Sequence, residues 1–140
     1  MSVFNYKRRP SSVTHIGCVP TGGDNPIRLQ SMNNTTTTDV EASVKQILRI
    51  ADAGADIDRL TAQGEREAHA MGEIRRLVHE LGYTIPLVAD IHFNPKAAFA
   101  AATEVDKVRI NPGNFVDPGR TFVKLEYTDE EYLQELSRIE

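Results

Sequence analysis

The sequence has very little cysteine: its 140 residues include only one, Cys18. A single thiol cannot form an internal disulfide, and it cannot supply the several thiolates that an iron–sulfur cluster or a multi-cysteine metal site requires. This absence fits a reducing compartment, so we predict a cytoplasmic protein with no metal site of its own. Because Cys18 stands alone beside Gly17, we interpret it as a small buried apolar residue.

Long apolar runs and an excess of positive charge are also missing. No run approaches the roughly 18 apolar residues of a membrane span, and the polar start MSVFNYKRRP has no signal-peptide core. Lysine and arginine number 16 against 20 acidic residues, which gives a net charge of −4. We therefore expect neither nucleic acid nor a membrane among the partners.

Four β-prone runs alternate with helical patterns along the chain. They are separated by about 20–30 residues, the spacing of βα units in a parallel sheet. Their centres lie near Arg28, Arg59, Val88 and Val108. The pattern predicts one α/β domain.

Local signals predict where several elements begin and end. The runs SVTHIGCV and PIRLQSM are separated by the turn-forming PTGGDN, which predicts an N-terminal hairpin or two successive strands. Thr38 and Glu41 have the spacing of a capping box, while Gly54 and Gly82 are predicted to end the first two long helices. The TTTT run at 35–38 is interpreted as a capping loop whose hydroxyls could also line the mouth of a site.

The choice of architecture lies between a doubly wound sheet and part of a (β/α)8 barrel, since no dinucleotide-type glycine motif is present. A complete barrel typically takes about 250 residues. If the chain is a barrel, it is therefore a partial (β/α)8 TIM barrel, made of about the first four βα units after an N-terminal β-hairpin.

Each predicted strand ends in polar residues, and the carboxyl ends of parallel strands converge on one rim. The rim residues are Gln30 and Ser31, Arg59 and Thr61, Asp90 and His92, Arg109 and Asn111, with Asn114 just beyond. Two arginines on one rim suit a phosphate or diphosphate. Asp90 and His92 are two residues apart, so they would share a face and could do acid–base work.

The alternative is that both arginines are structural, paired with acids near them in sequence: Asp56, Asp58 or Asp106. His92 could likewise be a packing residue. Asn94 is better explained as a helix cap than as a ligand.

Four segments resemble, in order and spacing, the N-terminal half-barrel of the 4-hydroxy-3-methylbut-2-enyl diphosphate synthase family. They are GGDNPIRLQSM, GADIDRLTAQG, PLVADIHFNPKAA and KVRINPGNF, and the resemblance covers about residues 7–128. It implies that residues 1–140 are the N-terminal half of a substrate-binding TIM-barrel domain, with the remaining barrel and an iron–sulfur domain absent from this chain. The departure is Asp58, where the family usually has an apolar residue; it would face the helix layer and need a partner or solvent.

The resemblance also implies a reaction. The family's barrel binds 2-C-methyl-D-erythritol 2,4-cyclodiphosphate, which is reduced and dehydrated by electrons that reach a [4Fe-4S] cluster from ferredoxin or flavodoxin, in the non-mevalonate isoprenoid pathway. A homodimer is implied as well. By resemblance, Arg59 and Arg109 bind the diphosphate and His92 adds a contact to it, while Asp90 with Asn111 or Asn114 addresses the hydroxyl side. The catalytic candidates are Asp90 and His92.

Two other readings remain open at this point. A pterin-binding barrel of the dihydropteroate synthase type also carries Asp and Asn at its strand ends, and the fragment could instead be a non-catalytic interaction unit. We expect the isolated fragment to be inactive and to hold no cofactor, because the cluster ligands are not in it.

Overall fold

The computed structural model describes residues 9–115 and 126–139 of the chain. The elements are β1 (Thr14–Ile16), β2 (Val19–Thr21), β3 (Gln30–Met32), α1 (Val40–Asp52), β4 (Ile57–Ala62), α2 (Glu65–Glu80), β5 (Leu87–Ile91), α3 (Pro95–Ala102), β6 (Lys107–Arg109), α4 (Pro112–Phe115) and α5 (Asp129–Ile139). Within these residues no helix is both long enough and apolar enough to cross a membrane.

Four parallel strands form the main sheet, in the order β3-β4-β5-β6, and helices join each strand to the next. The sheet follows the chain order of a barrel, so the predicted partial (β/α)8 architecture is confirmed. The first strand is centred at Ser31, not near Arg28 as predicted. Arg28 instead precedes the strand, and its guanidinium lies 3.5 Å from the carboxylate of Asp56.

The N-terminal hairpin lies earlier in the chain than the predicted hairpin of SVTHIGCV and PIRLQSM. β1 and β2 pair in antiparallel fashion around Gly17 and Cys18, so the PTGGDN segment is not the turn of the hairpin. Ile16 packs with Ile57 and Val88, which lie near the amino ends of β4 and β5. The hairpin therefore covers the end of the sheet where β4 and β5 begin, opposite to the carboxyl ends of the strands.

The core lies between the sheet and α1, α2 and α3. Leu60 on β4 and Leu87 on β5 face this layer and meet Ile47, Met71 and Ile74 of the helices, all of them buried. Every residue of β5 is buried, as is usual for a central strand of a parallel sheet. The outer face of the sheet is thus closed by helices, and the opposite face is left to carry the polar rim.

The ends of the helices follow local chemistry. α1 is capped by Asp39, whose carboxylate accepts a hydrogen bond from the Ala42 amide at 3.1 Å, so the prediction of Thr38 as the cap was wrong by one residue. Aspartate does this well because its charge also complements the helix dipole. Gly54 and Gly82 follow the ends of α1 and α2 with φ of 91° and 87°, as predicted.

Gly22→Ala is expected to destabilise the fold by more than about 2 kcal/mol, because a positive φ costs a non-glycine residue about 1–3 kcal/mol before any clash. At Gly22, with φ of 90°, an added Cβ would also lie 2.2 Å from the Ser12 carbonyl oxygen. Gly54→Ala is the matched control, since φ is 91° there and nothing lies within 4 Å. Urea unfolding of both variants measures the difference; equal losses would contradict the close approach at Gly22.

Candidate anion-binding site

Asp90 is the centre of a cluster of cationic side chains at the carboxyl ends of the strands. Its Oδ1 accepts a hydrogen bond from Arg109 Nη1 at 3.0 Å. Its Oδ2 lies 3.4 Å from His92 Nε2 and 3.6 Å from Arg59 Nε. We call these four residues the Asp90 cluster. Asp90 is only 2% exposed, whereas the cations around it are partly exposed to solvent.

Strand register brings the Asp90 cluster together. Asp90 pairs with Arg109 on β6 and with Thr61 on β4, and side chains in register on neighbouring parallel strands point to the same face. Arg59, two residues before Thr61, shares that face. The predicted rim therefore forms, and its two arginines approach the same carboxylate from the strands on either side of β5.

His92 stands just beyond β5, with its side chain 45% exposed. Its ring lies against that of Phe93, with the centroids 5.8 Å apart. The histidine is therefore not a buried packing residue. It contacts Asp90 on one side and remains accessible to a ligand on the other.

The asparagines have different positions. Asn111 follows β6 and is partly buried, and Asn114 lies in the short helix α4, although its side chain is outside the described part. Asn94 caps α3 by accepting a hydrogen bond from the Lys96 amide at 3.1 Å, as predicted. Gln30 and Ser31 lie on β3, at the far edge of the sheet from Arg109.

The acids that we considered as partners of the arginines are engaged elsewhere or isolated. Asp56 lies 3.5 Å from Arg28. Asp106 lies 2.8 Å from Arg75 and also accepts the Leu87 amide at 3.0 Å. The ion-pair alternative thus named the wrong partners, because the carboxylate that both Arg59 and Arg109 approach is Asp90 itself.

Asp58 is a buried carboxylate without a hydrogen-bond partner in the part of the chain that the structure describes. Its side chain is fully buried, and neither oxygen finds a hydrogen-bond partner within the described residues. Burial raises the pKa of this carboxyl from 3.8 to about 6, and the neighbouring Arg59 amide opposes the shift only in part. Asp58 therefore faces the helix layer as predicted, but without the partner that we expected it to need.

Met32 is a site residue that sequence reasoning missed. It is the register partner of Arg59 on β3, and the Arg59 Nη2 group donates to its Sδ at 3.2 Å. The alternation of side chains along β3 could have identified it, because Met32 lies two residues after Gln30 and therefore points to the same face of the sheet. Its apolar side chain set it apart from the polar residues that were predicted to form the rim.

The charges of the Asp90 cluster favour an anionic ligand. Two guanidinium groups surround one buried carboxylate, so one positive charge remains uncompensated, and a second is added when His92 is protonated. Each arginine has five N–H donors, and the contact with Asp90 occupies only part of each fork. This arrangement can hold phosphate oxygens while Asp90 fixes both guanidinium groups in place.

Cys18 lies at the opposite end of the sheet from this cluster. It is exposed in the hairpin turn, and its thiol lies 3.6 Å from the Thr84 carbonyl oxygen. Our interpretation of Cys18 as buried was wrong, because the turn that it occupies is on the surface. One distant thiol cannot hold an iron–sulfur cluster beside the Asp90 cluster.

The fold and the site together define a (β/α) barrel segment with a cationic rim at its strand ends. A model of the GcpE TIM-barrel domain matches residues 11–136, and the chain belongs to that family.

Curated relatives match the chain over 139 residues, or 99% of it. It is 63% identical to the 4-hydroxy-3-methylbut-2-en-1-yl diphosphate synthase (flavodoxin) of Parabacteroides distasonis and 60% identical to that of Phocaeicola vulgatus, covering 23% of each. It is 47% identical to the chloroplastic synthase (ferredoxin) of Oryza sativa subsp. japonica, of which it covers 19%. The chain thus spans less than a quarter of the length of these relatives.

Proposed function

We propose that this chain is the substrate-binding part of a 4-hydroxy-3-methylbut-2-enyl diphosphate synthase and that the Asp90 cluster binds 2-C-methyl-D-erythritol 2,4-cyclodiphosphate. The observation that carries the proposal is the pair of guanidinium groups, from Arg59 and Arg109, around one buried carboxylate. Forked cations fixed by a shared acid suit the paired oxygens of a diphosphate. The activity for which the relatives are named agrees with this chemistry.

The residues of the rim divide between two roles in this proposal. Arg59 and Arg109 bind the diphosphate, and His92 adds a contact to it from its exposed side. Asp90 and His92 also lie within 3.4 Å of each other, a distance over which they could share a proton as the substrate hydroxyl leaves. Asn111 and Asn114 would hold the hydroxyl side of the substrate with neutral donors and acceptors.

Residues 1–140 form the first half of the barrel domain in this proposal. The reaction needs two electrons, and a [4Fe-4S] cluster would supply them, but the donor set of this chain does not fit such a cluster. We therefore place the cluster ligands in another part of a longer enzyme. That enzyme would act in the cytoplasm as a homodimer and would take its electrons from flavodoxin or ferredoxin.

The isolated chain is expected to show no synthase turnover, even after anaerobic iron–sulfur reconstitution. One cysteine cannot assemble the cluster that delivers the electrons. The measurement is product formation with a chemical reductant, and the full-length Parabacteroides distasonis synthase serves as the positive control. Turnover by this chain alone would contradict the proposal that the cluster ligands lie in another part of a longer enzyme.

Calorimetric titration of the chain tests the proposed ligand. The cyclodiphosphate is expected to bind, and inorganic pyrophosphate is expected to bind more weakly because it lacks the hydroxyl side. A pterin is expected not to bind. Pterin binding without cyclodiphosphate binding would favour a dihydropteroate synthase type of barrel, and binding of neither ligand would favour a non-catalytic interaction unit.

A further inference from the structure

We propose that Thr37 is a positioning residue, whose hydroxyl holds the carboxyl end of β4 so that Arg59 stays aligned with Asp90. The inference rests on the proposed function, because it assigns Thr37 an effect on the binding of the diphosphate. It concerns the loop of residues 33–39, which joins β3 to α1.

The loop continues the sheet where β3 stops. The last register pair between β3 and β4 joins Met32 to Arg59, although β4 runs on to Ala62. Beyond that pair, the Asn33 amide donates to the Arg59 carbonyl at 2.8 Å, and the Thr37 hydroxyl donates to the Thr61 carbonyl at 2.7 Å. A side-chain hydroxyl therefore takes the place of a missing strand at the point where β4 reaches the rim.

Buried hydrogen bonds fix the loop. Asn33 is 6% exposed and donates from its side chain to the Ser43 carbonyl at 3.2 Å, while its own Oδ1 accepts the Thr35 hydroxyl at 2.9 Å. Thr37 is 5% exposed. The threonines of the TTTT run alternate, with Thr35 and Thr37 turned into these contacts and the two others exposed. The run therefore hydrogen-bonds to the end of β4 as well as leading into α1.

The Asp90 cluster is sensitive to small movements of β4. The 3.6 Å between Arg59 Nε and Asp90 Oδ2 is too long for a hydrogen bond, and this buried nitrogen has no other hydrogen-bond partner among the described residues. A displacement of the strand end by a few tenths of an ångström would decide whether this ion pair also contains a hydrogen bond. Misplacement by about 1 Å of groups that orient a substrate can cost about 10²-fold in rate.

Steady-state kinetics of an exchanged enzyme tests the role of Thr37. This enzyme is the full-length Parabacteroides distasonis synthase with its 139 matched residues replaced by the corresponding residues of this chain. Thr37→Val keeps the shape of the side chain but loses the hydroxyl. It is expected to raise KM for the cyclodiphosphate about tenfold with little change in kcat. This pattern is expected because a misplaced Arg59 would bind the substrate and the transition state less tightly by the same amount. Thr37→Ser, which keeps the hydroxyl, is expected to stay within about twofold of the unsubstituted enzyme.

Two further variants separate positioning from stability and from the proposed function itself. Val78→Ala truncates a fully buried residue of α2 away from the rim, and it should lower the melting temperature without raising KM. Arg59→Ala should raise KM at least as much as Thr37→Val does. If Thr37→Val does not fold, Thr37→Ala replaces it in the comparison with Thr37→Ser.

The outcomes are distinct. A raised KM for Thr37→Val, rescued by serine and absent in Val78→Ala, supports the inference. If Arg59→Ala raises KM but Thr37→Val does not, or if Val78→Ala raises it equally, Thr37 has no positioning role and the proposed function stands. If Arg59→Ala leaves KM unchanged, the inference and the proposed function both fail.

Discussion

Arg109→Ala is expected to weaken binding of the cyclodiphosphate by about 1.5–3 kcal/mol, the range for hydrogen bonds to charged groups. The same change is expected to destabilise the fold, because Arg109 donates to the nearly buried Asp90 at 3.0 Å. Arg59 and His92 would remain beside Asp90, so we expect a loss of about 1–3 kcal/mol, less than for a buried charge left without any partner.

Arg109→Lys distinguishes charge from shape. Lysine keeps the positive charge beside Asp90 and should recover most of the stability. It lacks the planar fork that matches two phosphate oxygens, so it should recover only part of the affinity. A full recovery of affinity would show that the site needs a charge near Asp90 and no particular geometry.

Arg75→Ala is the matched control, because Arg75 pairs with another largely buried carboxylate, that of Asp106, at 2.8 Å. This pair lies between α2 and the residue before β6, away from the rim. The control should therefore lose stability without losing affinity. Calorimetry and thermal melting of the three variants measure both quantities, and equal losses of affinity in Arg109→Ala and Arg75→Ala would refute the assignment of Arg109 to the ligand.

Asp58 is expected to make the chain less stable as the pH rises from about 4 to above 6. The folded state holds the proton of Asp58 with a pKa of about 6, while the ordinary pKa of this carboxyl, which applies in the unfolded chain, is 3.8. Between these values the folded state binds more protons, so its stability falls as the pH rises and the loss is complete above the folded pKa. At about 1.4 kcal/mol for each pKa unit, the difference amounts to about 3 kcal/mol.

Asp58→Asn removes the charge at nearly constant volume. The variant should match the parent near pH 4, apart from a constant offset due to the buried amide, and should gain on it by about 3 kcal/mol at pH 7.5. Urea unfolding at intervals between pH 4 and 7.5 measures this difference, which cancels the titration of the other groups. A difference that does not change with pH for Asp58→Asn would contradict the raised pKa of the buried carboxyl.

The sequence by itself determined the order of the main strands and helices and the placing of Arg59, Asp90 and Arg109 on one rim. Gly54 and Gly82 could be read as helix ends because the backbone conformation after a helix favours glycine locally. Asp90 and Arg109 could be placed on one rim because parallel strands alternate their side chains and converge at their carboxyl ends. Both patterns depend on residues that are close together in the chain, so they can be recognised without knowledge of the tertiary structure.

Tertiary structure alone decided which charges meet. Asp90 lies 19 residues from Arg109 in the chain, yet the register of β5 and β6 puts them in contact. Asp58, directly before Arg59, points to the opposite face and finds no hydrogen-bond partner among the residues that the structure describes. The Thr37 hydroxyl likewise reaches a carbonyl 24 residues away, because β3 ends before β4 does. Separation along the chain does not encode such pairings, since they depend on the register and lengths of whole strands, which packing against the helices selects.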